Sequence, residues 1–122
     1  EEAHRLLARV GLAGRAGDEA RALPLADRKR LEIARALATG PALLLLDEVL
    51  SGIRAAEARA LMGLIREIRA EGTTIIMIEH IMKAIMALSD RVVVLHHGEK
   101  IADGPPAAVA RDAAVIEADA VE

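Results

Sequence analysis

The chain of 122 residues contains no cysteine and no phenylalanine, tyrosine or tryptophan. The absence of cysteine excludes a disulfide framework and a thiolate metal site, and it is compatible with a reducing compartment. The absence of aromatic rings leaves the core to aliphatic side chains, which contribute about 1.5–3 kcal/mol each when fully buried. No apolar run approaches the roughly 20 residues that cross a bilayer. From these absences we expect a soluble protein, or one that is peripheral to a membrane.

Positive charge is also scarce, because 16 Lys and Arg residues face 19 Asp and Glu residues and the formal net charge is -3. A surface that neutralises phosphates needs Lys and Arg in local excess, so this balance argues against nucleic acid as a partner. The basic cluster at residues 28–30 is expected to be the solvated face of a helix, and contact with a phosphate or a partner is the alternative. At this length the chain can bury about two thirds of its unfolded surface, which is enough for one domain with its own core.

Two apolar runs end abruptly in acid-base residues. Residues 42–46 are followed by Asp47 and Glu48, and residues 74–78 are followed by Glu79 and His80. An unbroken apolar run of this length is typical of a strand that is buried on both faces of a parallel sheet. About 25 residues separate the runs, which suits a parallel crossover better than a hairpin. We therefore expect three carboxylates and an imidazole along the carboxyl edge of one sheet, where open α/β sheets bind ligands.

The remaining pattern completes an α/β fold. Apolar residues at helical spacing between the two runs predict a crossover helix that ends at residues 71–72. Another helix is expected after Asp27, which is a plausible N-cap, and it should end at Gly40. After the second run we expect a short helix, a β-hairpin that turns at Gly98, and short helices at the carboxyl end.

The residues at the expected sheet edge suit phosphate chemistry. Asp47 could hold a Mg²⁺ ion whose other ligands are phosphates, and Glu48 could polarise an attacking water molecule. His80 could donate a hydrogen bond to a phosphate oxygen. One alternative is that these residues only form the polar ends of their strands. The other is a zinc site of His80, Glu79 and the histidine pair 96–97, although neighbouring residues on a strand point to opposite faces.

Four motifs, in this order along the chain, resemble those of ABC-type ATPases. Residues 23–37 resemble the signature segment and its helix, residues 43–48 the Walker B strand, residues 49–54 the D-loop, and residues 78–80 the strand of the switch histidine. The Leu-Pro form of the signature, together with the Leu-Glu-Ile-Ala-Arg-Ala-Leu helix, is similar to that of ATP-binding subunits of branched-chain amino acid importers.

This resemblance implies a partial P-loop NTPase fold of the ABC type, with parallel strands, flanking helices, a carboxyl-terminal β-hairpin and short helices. Residues 1–122 would then be the carboxyl-terminal portion of a nucleotide-binding domain. The end of the helical signature lobe would occupy residues 1–40, and the core with Walker B, D-loop and switch histidine would occupy residues 41–122.

The resemblance also implies a role for each site residue. Asp47 would organise Mg²⁺, Glu48 would be the catalytic base, and His80 would contact the γ-phosphate. The signature and D-loop residues would bind ATP, with the signature segment facing the ATP held by the opposite subunit. These implied nucleotide-binding residues are Leu23, Pro24, Leu25, Ala26, Asp27, Ser51 and Gly52.

The implied function is that of the subunit that binds and hydrolyses ATP in an importer for branched-chain amino acids. Its partners would be a second ATPase subunit, in a homo- or heterodimer, and membrane-spanning permease subunits, and it would lie in the cytoplasm on the inner face of the cell membrane. The family's Walker A loop is missing from these 122 residues and would precede Glu1, so we expect the chain alone to be inactive. Two alternatives are a non-catalytic interaction module that pairs with a complete ATPase subunit, and an ABC-type ATPase outside transport.

Overall fold

The computed structural model describes residues 1–121, and Glu122 lies outside the described residues. The chain separates into two compact units, residues 1–79 and residues 80 onward. The first unit contains α1 (Glu2–Arg9), two single 3-10 turns (Ala13–Arg15 and Ala20–Ala22), α2 (Leu25–Leu37), β1 (Leu43–Asp47), α3 (Ala55–Ala70) and β2 (Thr74–Ile78). The second contains α4 (Met82–Leu88), β3 (Val92–His96), β4 (Glu99–Gly104), α5 (Pro106–Ala110) and α6 (Ala113–Val121). Among the described residues, no helix combines the length and the apolar character that a membrane span requires.

Strands β1 and β2 pair in parallel, which confirms the arrangement predicted from the two apolar runs. Their register runs from Leu43 opposite Thr74 to Asp47 opposite Ile78. The crossover between them is α3, whose apolar stripe at helical spacing is buried. The helix ends with Glu71 as its C-cap, as the sequence predicts. Because parallel strands bring like ends together, the polar residues that follow both strands meet at one edge of this sheet.

The sheet of the first unit is buried on one face only. Leu44 and Leu46 of β1 are buried, whereas Leu45 between them is 67% exposed. On β2, Ile76 and Ile78 are also more than half exposed. The expectation of strands buried on both faces is therefore wrong for these residues, because in the described part of the chain the sheet has two strands and nothing covers its outer face.

The start of α2 also differs from the sequence prediction. The helix begins at Leu25 with Pro24 as its N-cap, so Asp27 lies inside the first turn and is not the cap. An acidic side chain at this position still interacts favourably with the positive end of the helix dipole. The amino end of α2 therefore lies in the signature segment itself, with no side chain bonded over it.

The basic cluster at residues 28–30 is not simply the solvated face that its composition predicts. Each of its three side chains donates a hydrogen bond to a main-chain carbonyl oxygen outside residues 23–37. Arg28 donates to Arg21 at 2.9 Å, Lys29 to Glu48 at 3.0 Å and Arg30 to Val10 at 2.9 Å. The cluster thus anchors α2 to three other parts of the first unit.

The second unit is built on the expected β-hairpin. Strands β3 and β4 are antiparallel and join through His97 and Gly98, whose φ angles of 51° and 77° suit a tight two-residue turn. Arg91 and Asp103 make a bidentate ion pair with both bonds at 2.7 Å, beside the hairpin's far end. Val92, Val109 and Val115 form the small core of this unit.

Candidate functional site at the carboxyl edge of the parallel strands

The acidic edge predicted from sequence is present in the first unit. Asp47 is the last residue of β1, directly opposite Ile78, and Glu48 and Glu79 are the next residues along their chains. Asp47 and Glu48 are both exposed, so the carboxylates are accessible to a ligand. His80 follows Glu79 directly in the chain and is the first residue of the second unit.

The main chain at Glu48 has an unusual conformation that is held by three hydrogen bonds. Its φ angle is 51°, in the left-handed region that L-residues other than glycine seldom adopt. The Glu48 N–H donates to the carbonyl oxygen of Ile78 at 2.8 Å. The Glu48 carbonyl oxygen accepts from Ser51 N–H at 3.2 Å and from Lys29 Nζ at 3.0 Å. The residue after the strand is therefore fixed by β2, by its own turn and by α2.

Glu79 supports the loop that follows β1. One of its carboxylate oxygens accepts a hydrogen bond from the Leu50 main-chain N–H at 3.4 Å. This contact joins the loop after β1 to the end of β2, so both strand ends share one polar cluster. Glu79 therefore stabilises the main chain of the loop after β1, in addition to following the last residue of β2.

The signature segment and the loop after β1 lie in direct contact. Gly52 has a φ angle of 78°, and a Cβ built on it would lie 3.1 Å from Leu25 Cδ2. Leu23 and Ala26 are buried and fix the segment to the core, whereas Leu25 stays 46% exposed. The residues that the sequence assigns to two separate motifs are therefore neighbours in space.

A groove of about 350 Å³ lies between α2 and β1. Five of its lining residues are apolar, and the other three are a lysine and two carboxylates. Its lining consists of Lys29, Glu32, Ile33, Ala36, Leu45, Leu46, Asp47 and Val49. Asp47 therefore faces an open space that a ligand or another segment of protein can enter.

The donor set at this edge suits Mg²⁺ and does not suit zinc. Among the described residues, no group of three or more His, Asp or Glu side chains is arranged to hold a metal ion, so the zinc alternative lacks a site. The rings of His96 and His97 instead lie edge to face, with centroids 4.0 Å apart. Asp47 offers one hard oxygen ligand, which is what Mg²⁺ needs when nucleotide phosphates and water complete its shell.

Lys29 contacts the candidate site, although the sequence predicts that it belongs to a solvated cluster. Three consecutive basic residues usually mark a helix surface. A signal was available, since Lys29 lies four residues after Leu25 and therefore on the same side of the helix that carries the signature segment.

No protein-family model matches the chain. Individual relatives do. The chain is 42% identical over 113 residues to the high-affinity branched-chain amino acid transport ATP-binding protein LivG of Escherichia coli K12, a match that covers 92% of this chain and 44% of LivG. It is 39% identical over 119 residues to the corresponding protein BraF of Pseudomonas aeruginosa, covering 97% of this chain and 47% of BraF.

Solved structures give the same answer for the fold. A crystal structure of an ATP-binding cassette of an ABC transporter, in its ADP conformation, superposes with a TM-score of 0.90 at 28% identity. The superposition covers 99% of this chain and 49% of that cassette. The fold predicted from sequence, that of an ABC-type P-loop NTPase, is thereby confirmed, and the chain spans about half the length of the curated relatives it matches. By sequence and by fold, the chain is a homologue of ABC transporter ATP-binding proteins over most of its own length.

Proposed function

We propose that this chain is the carboxyl-terminal portion of the ATP-binding subunit of an ABC importer, and that it hydrolyses ATP when joined to a portion that supplies a Walker A loop. The observation that carries the proposal is the parallel register that sets Asp47 opposite Ile78. This register gathers the carboxylates after both strands at one open edge beside the amino end of α2. An acidic edge next to a helix amino end suits a complex of Mg²⁺ with nucleotide phosphates.

Each residue at the edge has a distinct task in the proposed reaction. Asp47 supplies a carboxylate oxygen to the Mg²⁺ shell. Glu48 orients the attacking water and accepts its proton. By the resemblance to ABC-type ATPases, we also assign to His80, which directly follows Glu79 in the chain, a hydrogen bond to a γ-phosphate oxygen. Bound Mg²⁺ would neutralise part of the phosphate charge, so the protein's contribution is mainly to position the reactants and to stabilise charge.

The signature segment serves a second nucleotide in this proposal. Residues 23–27 carry the amino end of α2, where main-chain N–H groups without intrahelical partners attract anions. Ser51 and Gly52 lie beside that segment through the contact of Gly52 with Leu25. We assign both to ATP held by a second ATPase subunit, in a homo- or heterodimer.

The exposed face of the sheet supports completion by an amino-terminal portion of the cassette. Its outward residues on β1 and β2 are aliphatic, and they are Leu43, Leu45, Ile76 and Ile78. Covering them would stabilise the complex by about 1 kcal/mol for each half-exposed side chain. The relatives contain about half their length outside the matched region, which is enough protein to cover this face.

The transported solute and the membrane partners follow from the same proposal. Relatives named for branched-chain amino acid transport support a branched-chain amino acid as the solute. Hydrolysis would then drive membrane-spanning permease subunits, with this protein in the cytoplasm at the inner face of the membrane.

The proposal is tested in a fusion of the amino-terminal portion of Escherichia coli LivG to Glu1 of this chain. We expect Mg-ATP hydrolysis by the fusion, and we expect Glu48→Gln to slow it by about 100-fold or more while ATP binding is retained. Glu67→Gln, at an exposed position on α3, is the matched control and should leave the rate unchanged. A fusion that folds and binds ATP without hydrolysing it, or one that is insensitive to Glu48→Gln, would contradict the proposal.

A non-catalytic interaction module that pairs with a complete ATPase subunit is the second candidate. In that case the chain would bind a complete ATPase subunit and donate only its signature segment. Mixing the chain with complete LivG distinguishes the two. A module should form a stable complex with LivG and change its hydrolysis rate, while the fusion described above stays inactive.

A further inference from the structure

The hydrogen bond from Lys29 to Glu48 connects two parts of the molecule that have separate tasks in the proposed function. Lys29 lies in the second turn of α2, the helix that carries the signature segment. Its ammonium group is 3.0 Å from the main-chain carbonyl oxygen of Glu48. The lysine is half-buried, and it lines the groove next to Asp47. A cation from the signature helix therefore bonds directly to the backbone of the proposed catalytic base.

The backbone at Glu48 needs such support because its conformation is strained. A φ angle of 51° is unfavourable for a residue with a Cβ, and such conformations persist when surrounding contacts hold them. Two of those contacts, from Ile78 and Ser51, come from the paired strand and from the turn. The third comes from Lys29. Since φ sets the direction in which the side chain leaves the main chain, these bonds also set where the Glu48 carboxylate can reach.

A second contact holds the other end of the same loop. Leu25 lies one helical turn before Lys29 on α2, and it approaches Gly52 so closely that an added Cβ would lie only 3.1 Å away. Residues four apart on a helix share one side of it. One side of the first turns of α2 therefore contacts the loop at both of its ends, residue 48 and residue 52.

We propose that Lys29 is a positioning residue for Glu48 and that it couples the signature segment to the catalytic base of the same subunit. The proposal rests on the proposed function, in which Glu48 serves one ATP and the signature segment serves the ATP of the opposite subunit. A shift of α2 on engaging that second nucleotide moves Lys29 with it, and the bond to Glu48 transmits the shift. Each subunit thus carries a path by which one nucleotide site adjusts the base of the other.

The contact itself is tested on the 122-residue chain by NMR of ¹⁵N-labelled protein. We expect Lys29→Met to displace the amide signals of Glu48 and Ser51 and to speed hydrogen exchange of the Ser51 amide by about 10-fold, because its acceptor is less firmly held. Lys29→Arg keeps a donor and should retain most of the parent behaviour. Lys83→Met, the same change on α4, is the matched control and should leave both signals in place. Unchanged Glu48 and Ser51 signals in Lys29→Met would overturn the proposal.

The catalytic consequence is tested in the LivG fusion. We expect Lys29→Met to lower kcat by about 10-fold with KM for ATP unchanged, since the base is misplaced and substrate binding is not. Lys29→Arg should restore the rate to within about 3-fold of the parent. In a Glu48→Gln background, Lys29→Met should cause no further loss, because the two residues act through one group. Full activity of the Lys29→Met fusion would refute the coupling.

The two arms separate failure of this inference from failure of the proposed function. If the parent fusion shows no hydrolysis that depends on Glu48, the proposed function is wrong, and the NMR experiment still decides whether Lys29 positions Glu48. If the parent fusion is active and Lys29→Met leaves either the NMR signals or kcat unchanged, the inference alone is wrong.

Discussion

Gly52→Ala is the substitution for which the structure predicts the sharpest loss of stability in the loop after β1. Two features of Gly52 make a side chain at this position unfavourable. Its φ angle is 78°, and a Cβ at this position would lie 3.1 Å from Leu25 Cδ2. The substitution adds one methyl group and removes no contact, so any loss reports the backbone conformation and the close approach of Leu25.

The magnitude follows from two contributions. Alanine in a left-handed conformation costs about 1–2 kcal/mol. The close approach adds about 0.5 kcal/mol, the cost of a modest rotamer change, because the atom it meets is the end of a flexible and partly exposed leucine. We therefore expect Gly52→Ala to lower the free energy of unfolding by about 1.5–2.5 kcal/mol.

Two other glycines of the same unit separate these contributions. Gly72 has a φ angle of 104° and open space around its Cβ position, so Gly72→Ala should cost about 1–2 kcal/mol from the backbone alone. Gly63 lies inside α3 with nothing within 4 Å, so Gly63→Ala should stabilise the protein by about 0.5–1 kcal/mol through helix propensity.

The measurement is a urea titration followed by the NMR amide signals of Ile65 and Ile68, which are buried in α3 and report on the first unit. The expected order of stability is Gly63→Ala, parent, Gly72→Ala, Gly52→Ala, from most to least stable. Leu25→Ala in the Gly52→Ala background should recover only the smaller, steric share. If Gly52→Ala is as stable as the parent, or Gly63→Ala is the more damaging change, the reasoning is refuted.

Two further predictions concern the hairpin and the exposed sheet face. The hydrogen bonds from Arg91, with a further one from Lys100, lower the pKa of Asp103 to about 2. The stability that ionised Asp103 contributes is therefore fully present above the unfolded pKa near 3.8 and is lost as the pH falls toward 2. Hairpin amide signals followed from pH 5 to pH 2 should report this loss, and Asp103→Asn should abolish that pH dependence. On β1, Leu44→Ala should lower the free energy of unfolding by about 2–5 kcal/mol because Leu44 is buried, whereas Leu45→Ala should change it by no more than about 0.5 kcal/mol. If urea unfolding shows the same loss of stability for both variants, the outer face of the sheet is not exposed.

Sequence patterns were sufficient for the main elements of the fold. The two apolar runs and the distance between them predicted parallel strands joined by a helix, and the register from Leu43 to Asp47 confirms it. Gly98 predicted the hairpin turn, which also uses a left-handed His97. The order of four motifs predicts the similarity to ABC-type ATPases that the relatives and the solved cassette confirm. These features depend on residues close in sequence or on spacing alone, so a single sequence is enough to predict them.

Other features required the three-dimensional arrangement. The apolar run of β1 predicts burial on both faces, yet Leu45 is exposed because burial depends on what packs against a strand. Asp27 is a good N-cap by residue type, but the helix starts earlier, at Leu25. The sequence predicts that the polar ends of the strands lie along one edge, but it does not predict the hydrogen bond from Leu50 N–H to the Glu79 carboxylate that joins them.

By itself, the sequence determined the α/β order, the parallel crossover, the hairpin and the acidic residues at the strand ends, since local periodicity and turn chemistry specify them. Only the tertiary structure decided that Lys29 bonds to Glu48 across 19 positions of sequence, that Leu25 meets Gly52, and that one face of the sheet stays open. The physical reason is that a side chain's partner is chosen by long-range packing, whereas the element that carries it is chosen mostly by its neighbours in the chain.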